Sequence, residues 1–172
     1  MDEETALKKA RHLVLRLLTY RARSTKEVSD YLSRKGFTEE IVKEVSDEMT
    51  AYGYLNDQKF AQDFIAYRKI QGNGLKKVRY ELALKGLDRQ IVDNLVEEQF
   101  DEEEDLSRIE TLLLKRRLGG EMVDDRWLNR QIAFLRRRGF QDNLIMNALK
   151  RFQGKDFEKD FNLSEYRADA SK

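Results

Sequence analysis

The chain has 172 residues, of which 38% are charged and 40% hydrophobic, with a formal net charge of +1. So small a net charge excludes a protein whose bulk field alone would draw it onto nucleic acid. Cysteine is absent and His12 is the one histidine, which excludes a disulfide framework, thiolate chemistry and a Cys/His zinc site.

The absence of proline permits helix along the whole chain. No apolar run approaches the length of a membrane span, and the acidic N-terminus MDEETALKK lacks a hydrophobic signal core. We therefore expect a cytoplasmic protein without membrane contact.

A glycine with the same neighbours occurs three times, at Gly36, Gly86 and Gly139, with a spacing of about 50 residues. Each has leucine four positions earlier, a cation one position earlier, and branched aliphatic residues five and six positions later. Such self-similarity indicates a repeat architecture. We predict an all-α fold of three tandem three-helix repeats at 4–53, 54–100 and 101–152, followed by a polar C-terminal tail at 153–172.

Each of these glycines is predicted to end a helix in the left-handed conformation, with the preceding cation complementing the helix dipole. The next helix would then begin at Thr38 in the first copy and at Asp88 in the second. In the third copy Gln141 is a weak cap, so Asp142 is an alternative start.

Apolar spacing predicts the helices of the first two repeats. The first is expected at 5–20, and Ser24 with Glu27 fits a capping box for the second. The fourth is expected at 57–71, with Phe60, Phe64 and Tyr67 inward and Ile65 on a flank.

The joint between these repeats, 54–57, resembles a hydrophobic staple with Asn56 or Asp57 as N-cap. In the third repeat Trp127 is interpreted as a core residue rather than a ligand platform.

Seven acidic residues crowd the segment 97–105. A solvated helix start is favoured over a divalent metal site, because no turn glycine accompanies them. No histidine pair, phosphate-binding glycine loop or nucleophile–base pair stands out either. We therefore predict no enzyme activity, no catalytic residue, no metal and no cofactor.

Three motifs resemble those of the RecX family. They are R-x-R-S with a following glutamate at 21–28, G-Y-L-N-D-x-x-F-A at 53–61, and the basic segment 74–87 that ends in K-G-L. The resemblance covers about residues 6–152 and is looser in the third repeat, where it depends on 138–140. It implies a bent, elongated rod of stacked repeats. It also implies negative modulation of the RecA recombinase and its ATPase in DNA repair, recombination and the SOS response, through binding to RecA or its DNA filament.

Cationic residues opposite the apolar faces are the candidates for contact with RecA acids or DNA phosphates. The alternatives are that they merely solvate helix faces, or that the protein is a sequence-nonspecific DNA-binding protein made of helix-turn-helix-like repeats. Among these cations, the three arginines at 136–138 are the strongest local signal. We expect the protein to be a monomer. The candidates are Arg21, Arg23, Lys35, Arg68, Lys76, Lys77, Arg79, Lys85, Arg116, Arg117, Arg126, Arg130, Arg136, Arg137 and Arg138.

The repeat interpretation predicts an elongated molecule. A compact globule of this length has a radius of gyration of about 16 Å, and three stacked repeats should clearly exceed that value in small-angle X-ray scattering. A scattering curve that fits a sphere with that radius of gyration would contradict the stacked arrangement.

Overall fold

The computed structural model describes residues 2–117 and 124–154, and across these ranges the chain forms nine α-helices and no strand. The all-helical prediction is confirmed, whereas the predicted polar tail lies outside the described residues from 155 onward. In chain order the helices are α1 (Glu3–Leu18), α2 (Thr25–Arg34), α3 (Glu39–Ala51), α4 (Asp57–Ile70), α5 (Leu75–Leu84), α6 (Arg89–Gln99), α7 (Glu102–Arg117), α8 (Asp125–Arg137) and α9 (Asp142–Gly154).

The helices group in threes, each with its own hydrophobic cluster. In every group the third helix packs against the other two: α3 against α1 and α2, α6 against α4 and α5, and α9 against α7 and α8. Fully buried side chains centre the clusters, with Leu32 in the first, Leu82 in the second and Trp127 in the third. Burial of Trp127 confirms its interpretation as a core residue.

By proximity of Cα atoms the chain separates into two compact units, 1–101 and 102–172. The first two helix groups belong to the first unit and the third group to the second. The repeat boundaries at 53/54 and 100/101, and the curved rod, stay predictions.

The three matching glycines end α2, α5 and α8 in the predicted way. The φ angles of Gly36, Gly86 and Gly139 are +84°, +72° and +87°, in a region that residues other than glycine rarely adopt. The amide of the residue after each glycine donates to the carbonyl of the leucine that lies four positions before the glycine. These bonds are Phe37 to Leu32 at 3.3 Å, Leu87 to Leu82 at 3.4 Å and Phe140 to Leu135 at 3.2 Å. This is the Schellman arrangement, and the same leucine also enters the core in each copy.

Helix starts agree with the predicted caps at most positions. The capping box of Ser24 and Glu27 is present at α2, and Asn56 caps α4 by accepting from the Lys59 amide at 2.8 Å. Thr38 occupies the N-cap position of α3 without a side-chain hydrogen bond, and α9 begins at Asp142.

The predicted inner face of α4 is wrong by part of a turn. Ile65, expected on a flank, is fully buried, whereas Tyr67, expected inside, is 56% exposed. Phe60 is buried and Phe64 is half-buried. Ala61 and Ile65, spaced i, i+4, are both buried, so the buried face of α4 runs through them. The larger aromatic residues at 60, 64 and 67 gave a more conspicuous pattern in the sequence and led to the wrong face.

Gly86 lies where the second repeat approaches the first, and this contact predicts an unequal response to substitution. A Cβ atom there would lie 2.7 Å from Cβ of Lys26, whereas a Cβ atom at Gly36 would meet nothing within 4 Å. Both positions have positive φ, so Gly36→Ala is a matched control for backbone strain. We expect Gly86→Ala to lower the free energy of unfolding by about 1–3 kcal/mol more than Gly36→Ala in urea denaturation. Equal losses would show that Lys26 moves aside without cost.

Candidate functional site

The first two repeats meet at the N-terminus of α2. Ser24 is fully buried there, and its hydroxyl accepts from the Glu27 amide at 3.2 Å. The same hydroxyl donates to the backbone carbonyl of Lys85, at the end of α5, at 2.8 Å. One side chain therefore satisfies a free amide at the start of one helix and a free carbonyl at the end of another.

Asp57 adds a second link across the joint. Its carboxylate accepts from the Thr25 amide, in the first turn of α2, at 2.8 Å. Asp57 was one of two predicted caps for its own helix, but Asn56 fills that role. The adjacent Asn–Asp pair thus caps two helices that belong to different repeats.

Glu27 is the charged centre of the joint. Its carboxylate accepts from Nζ of Lys85 at 2.9 Å and from the Arg21 guanidinium at 2.9 and 3.2 Å. A guanidinium nitrogen of Arg23 lies 4.0 Å from the same carboxylate. Burial would raise the pKa of Glu27, but hydrogen bonds from Arg21, Lys85 and the Ser24 amide outweigh it and lower the pKa to about 2. The group is therefore ionised at neutral pH.

A second ion pair lies beside the first. Nε of Arg68, on α4, donates to Glu81, on α5, at 2.6 Å, and a second guanidinium nitrogen of Arg68 contacts the other carboxylate oxygen. Arg68 and Lys85 lie over the same aromatic ring. The guanidinium carbon of Arg68 lies 5.4 Å from the Phe64 centroid, and Nζ of Lys85 lies 5.5 Å from it.

These groups surround an open cleft of about 480 Å³. Phe64 contributes an apolar wall, and within each ion pair the positive and negative charges compensate. Tyr67 and Leu84 are the exposed apolar residues of the lining. Within the described parts of the chain, no three acidic or histidine side chains converge as a metal site. The arrangement offers a binding surface. Its lining residues are Glu27, Phe64, Tyr67, Arg68, Glu81, Leu84 and Lys85.

Many of the predicted contact cations are engaged within the chain. Besides those of the joint, Arg79 pairs with Asp93 at 3.2 Å, and Arg136 pairs with Asp142 at 2.6 Å. Nζ of Lys35 lies 5.6 Å from the ring centroid of Tyr31.

In the third repeat two arginines stack on one ring. The guanidinium carbons of Arg116 and Arg138 lie 4.3 and 4.8 Å from the centroid of Phe134. Arg116 also donates to the side chain of Gln131. Arg117 and Arg130 have interaction partners as well.

Four predicted cations have no ion pair or ring contact with any other described residue: Lys76, Lys77, Arg126 and Arg137. Three of them are exposed, and Lys77 is half-buried. The structure alone does not assign a partner to any of the fifteen candidates, so their binding role stays a prediction.

The acidic segment is also engaged locally. Asp105 is buried in α7 and pairs with Arg108, and Glu103 accepts from Arg151 of α9 at 2.7 Å. Both contacts lie within the second unit.

Sequence reasoning missed the exposed apolar side chains of α5, of which Leu84 lines the cleft. Tyr80 and Leu84 are 63% and 64% exposed, one turn apart on α5. The sequence could have indicated this exposure, because both positions lie outside the helix face formed by Val78 and Leu82, which are fully buried.

The low pKa of Glu27 predicts a pH-dependent contribution to stability. A carboxylate with a lowered folded pKa stabilises fully above its ordinary value of 4.5, and that contribution is lost as the pH falls from 4.5 towards about 2. We expect Glu27→Gln to lower the free energy of unfolding by about 1–3 kcal/mol at pH 7, with the difference from wild type shrinking over that range. Urea denaturation at several pH values measures it.

Glu4→Gln is the control, because Glu4 is 78% exposed in its pair with Lys8. An exposed pair contributes about 0–1 kcal/mol. If the two variants behaved alike at every pH, the joint would not depend on the Glu27 charge.

Family models match both repeats of the first unit. A model described as the first three-helix domain of RecX matches residues 10–49, and one described as the second three-helix domain of RecX matches residues 56–95. A solved structure, the crystal structure of RecX from Lactobacillus salivarius, has a TM-score of 0.76 at 20% identity and covers 87% of this chain and 98% of its own. At that identity it supports the fold. No helix in the described ranges is long and apolar enough to cross a membrane.

Curated relatives named regulatory protein RecX are similar over most of the chain. That of Mycolicibacterium smegmatis is 29% identical over 86% of this chain and 81% of its own length. That of Mycolicibacterium vanbaalenii is 30% identical over 86% of this chain and 85% of its own. The Bacillus subtilis relative is 30% identical, but this chain covers only 56% of its length. The two successive family-model matches and the extent of these similarities show that the chain belongs to the RecX family, whose curated members are named regulatory proteins.

Proposed function

We propose that this protein binds RecA, alone or as its DNA filament, and lowers its recombinase and DNA-dependent ATPase activity in DNA repair and recombination. It acts in the cytoplasm, as a monomer and without a cofactor. The observation that carries the proposal is the use of the family motifs. Arg21, Ser24, Glu27 and Lys85 hold two helical repeats together instead of surrounding a reactive group. A fixed joint of this kind suits a docking scaffold.

The cations without internal partners support an electrostatic contribution to docking. Ion pairing inside the chain uses the charge of Arg21, Arg68 and Lys85, so those residues contribute less to a partner's field. Within 136–138, Arg136 pairs with Asp142 and Arg138 stacks on Phe134. Arg137 is therefore the residue of this group most available to a carboxylate or phosphate.

The test is inhibition of the RecA ATPase on single-stranded DNA. We expect wild type to inhibit, and Arg137→Glu to raise the half-inhibitory concentration about fivefold to tenfold, equivalent to about 1–1.4 kcal/mol. Arg16→Glu is the matched control, because Arg16 is also an exposed arginine in the last turn of a helix. Its effect should stay within about twofold, as expected for a surface charge away from a contact.

Three results separate the possibilities. Absence of inhibition by folded wild type would refute the proposed function. Equal effects of Arg137→Glu and Arg16→Glu would remove Arg137 from the contact surface. Equal affinity for bare and RecA-coated DNA, with a steep dependence on salt, would favour the DNA-binding alternative.

A further inference from the structure

We infer that the cleft at the joint of the first two repeats is a docking site for an acidic segment of the partner protein, which inserts one large apolar side chain between Tyr67 and Leu84. This inference rests on the proposed function, because the partner is taken to be the RecA filament. It differs from the cation-based prediction, since apolar contact anchors the segment and charge only orients it.

Exposed apolar side chains mark this place on the surface. Tyr67, Ile70, Tyr80 and Leu84 all belong to α4 and α5, and each is more than half exposed. Tyr67 and Leu84 line the cleft itself, and Tyr80 lies one turn before Leu84 on α5. Grouped apolar exposure of this kind marks interaction sites, and tyrosine is enriched among the residues that dominate binding energy.

The interior of the cleft is electrically compensated. Among its lining residues, Glu27 pairs with Lys85 and Glu81 pairs with Arg68, so two negative charges balance two positive ones. An anion entering there would have to compete with these carboxylates for the cations. An apolar side chain meets no such competition and would contact Phe64, so the cleft favours an apolar anchor.

The charge beside the cleft indicates the surroundings of that anchor. Helical spacing places Lys76 one turn before Tyr80 and Lys77 one turn before Glu81. Neither lysine forms an ion pair with any other described residue. Two uncompensated positive charges beside a neutral cleft complement acidic residues flanking the anchor, and such complementarity fixes orientation and raises the association rate.

Stacking with nucleic-acid bases fits the cleft less well. Bases bind single-strand binding proteins through the faces of aromatic rings. The ring of Phe64 is instead covered by Arg68 and Lys85, whose charged groups lie 5.4 and 5.5 Å from its centroid. Lys85 also lies 5.6 Å from the Phe60 centroid. A protein segment is therefore the occupant that the geometry favours.

Binding to RecA-coated single-stranded DNA tests the inference with two double variants. We expect Tyr67→Ala with Leu84→Ala to weaken binding about 10-fold to 100-fold. Tyr52→Ala with Leu15→Ala is the control, because it removes another exposed tyrosine and leucine, both on the first repeat. All four side chains are exposed, so both proteins should fold, and circular dichroism melting verifies this.

The flanking charges have their own variant and control. Lys76→Glu with Lys77→Glu should weaken binding about threefold to tenfold at low salt and less at high salt, because surface charges are screened. Lys8→Glu with Lys9→Glu reverses another adjacent pair, on exposed positions of α1, and should change binding less than twofold.

A fluorescent label tests contact directly. Because the chain has no cysteine, Leu84→Cys gives a single site for an environment-sensitive dye. We expect a blue shift when RecA-coated DNA is added, and no shift with the dye at Tyr52→Cys.

The outcomes distinguish the proposed function from the docking site. Wild type that fails to bind RecA-coated DNA overturns the proposed function and the docking site together. Wild-type binding that the cleft variants leave unchanged overturns the docking site alone. Equal loss of binding to bare single-stranded DNA would assign the cleft to nucleic acid and overturn the protein segment.

Discussion

The first unit depends on how the free amides at the start of α2 are satisfied. The first amides of a helix have no partner within it, and leaving them buried without acceptors is costly. Here Ser24 and Glu27 provide part of the solution, and Asp57 of the next repeat provides the rest. Because Asp57 of the second repeat accepts from the Thr25 amide, complete capping of α2 requires the second repeat to be in place. Ser24 links the same two repeats by donating to the end of α5. Local helix chemistry and the joining of repeats are therefore one interaction.

The same requirement explains why charged residues accumulate at the joint. Glu27 is held near the α2 amides, and its partly buried charge is offset by Lys85 and Arg21. Three of the predicted contact cations, Arg21, Arg68 and Lys85, are thus engaged within the fold. Exposed apolar side chains, Tyr67 and Leu84, lie beside them in the lining of the cleft.

The cation before each repeat glycine makes different contacts in the second repeat than in the other two. Lys35 and Arg138 lie over aromatic rings four residues earlier on their own helices, Tyr31 and Phe134. In the second repeat that earlier position is Glu81, which pairs with Arg68. Lys85 instead covers Phe60 and Phe64 of α4 and reaches Glu27 of the first repeat. In the second repeat a glutamate in place of the aromatic residue thus accompanies a cation that contacts the neighbouring repeat instead of its own helix.

Short-range chemistry let the sequence alone determine the helical class, the glycine stops at 36, 86 and 139, and the capping box at Ser24, because each depends on residues within one or two turns. The family resemblance also came from such local motifs. The tertiary structure decided which face of α4 is buried, and that Asp57 caps a helix other than its own. It also decided that Glu27, Arg68, Glu81 and Lys85 converge around one cleft. These outcomes depend on residues 13 to 58 positions apart, whose meeting is set by helix packing and has no periodic signature in the sequence.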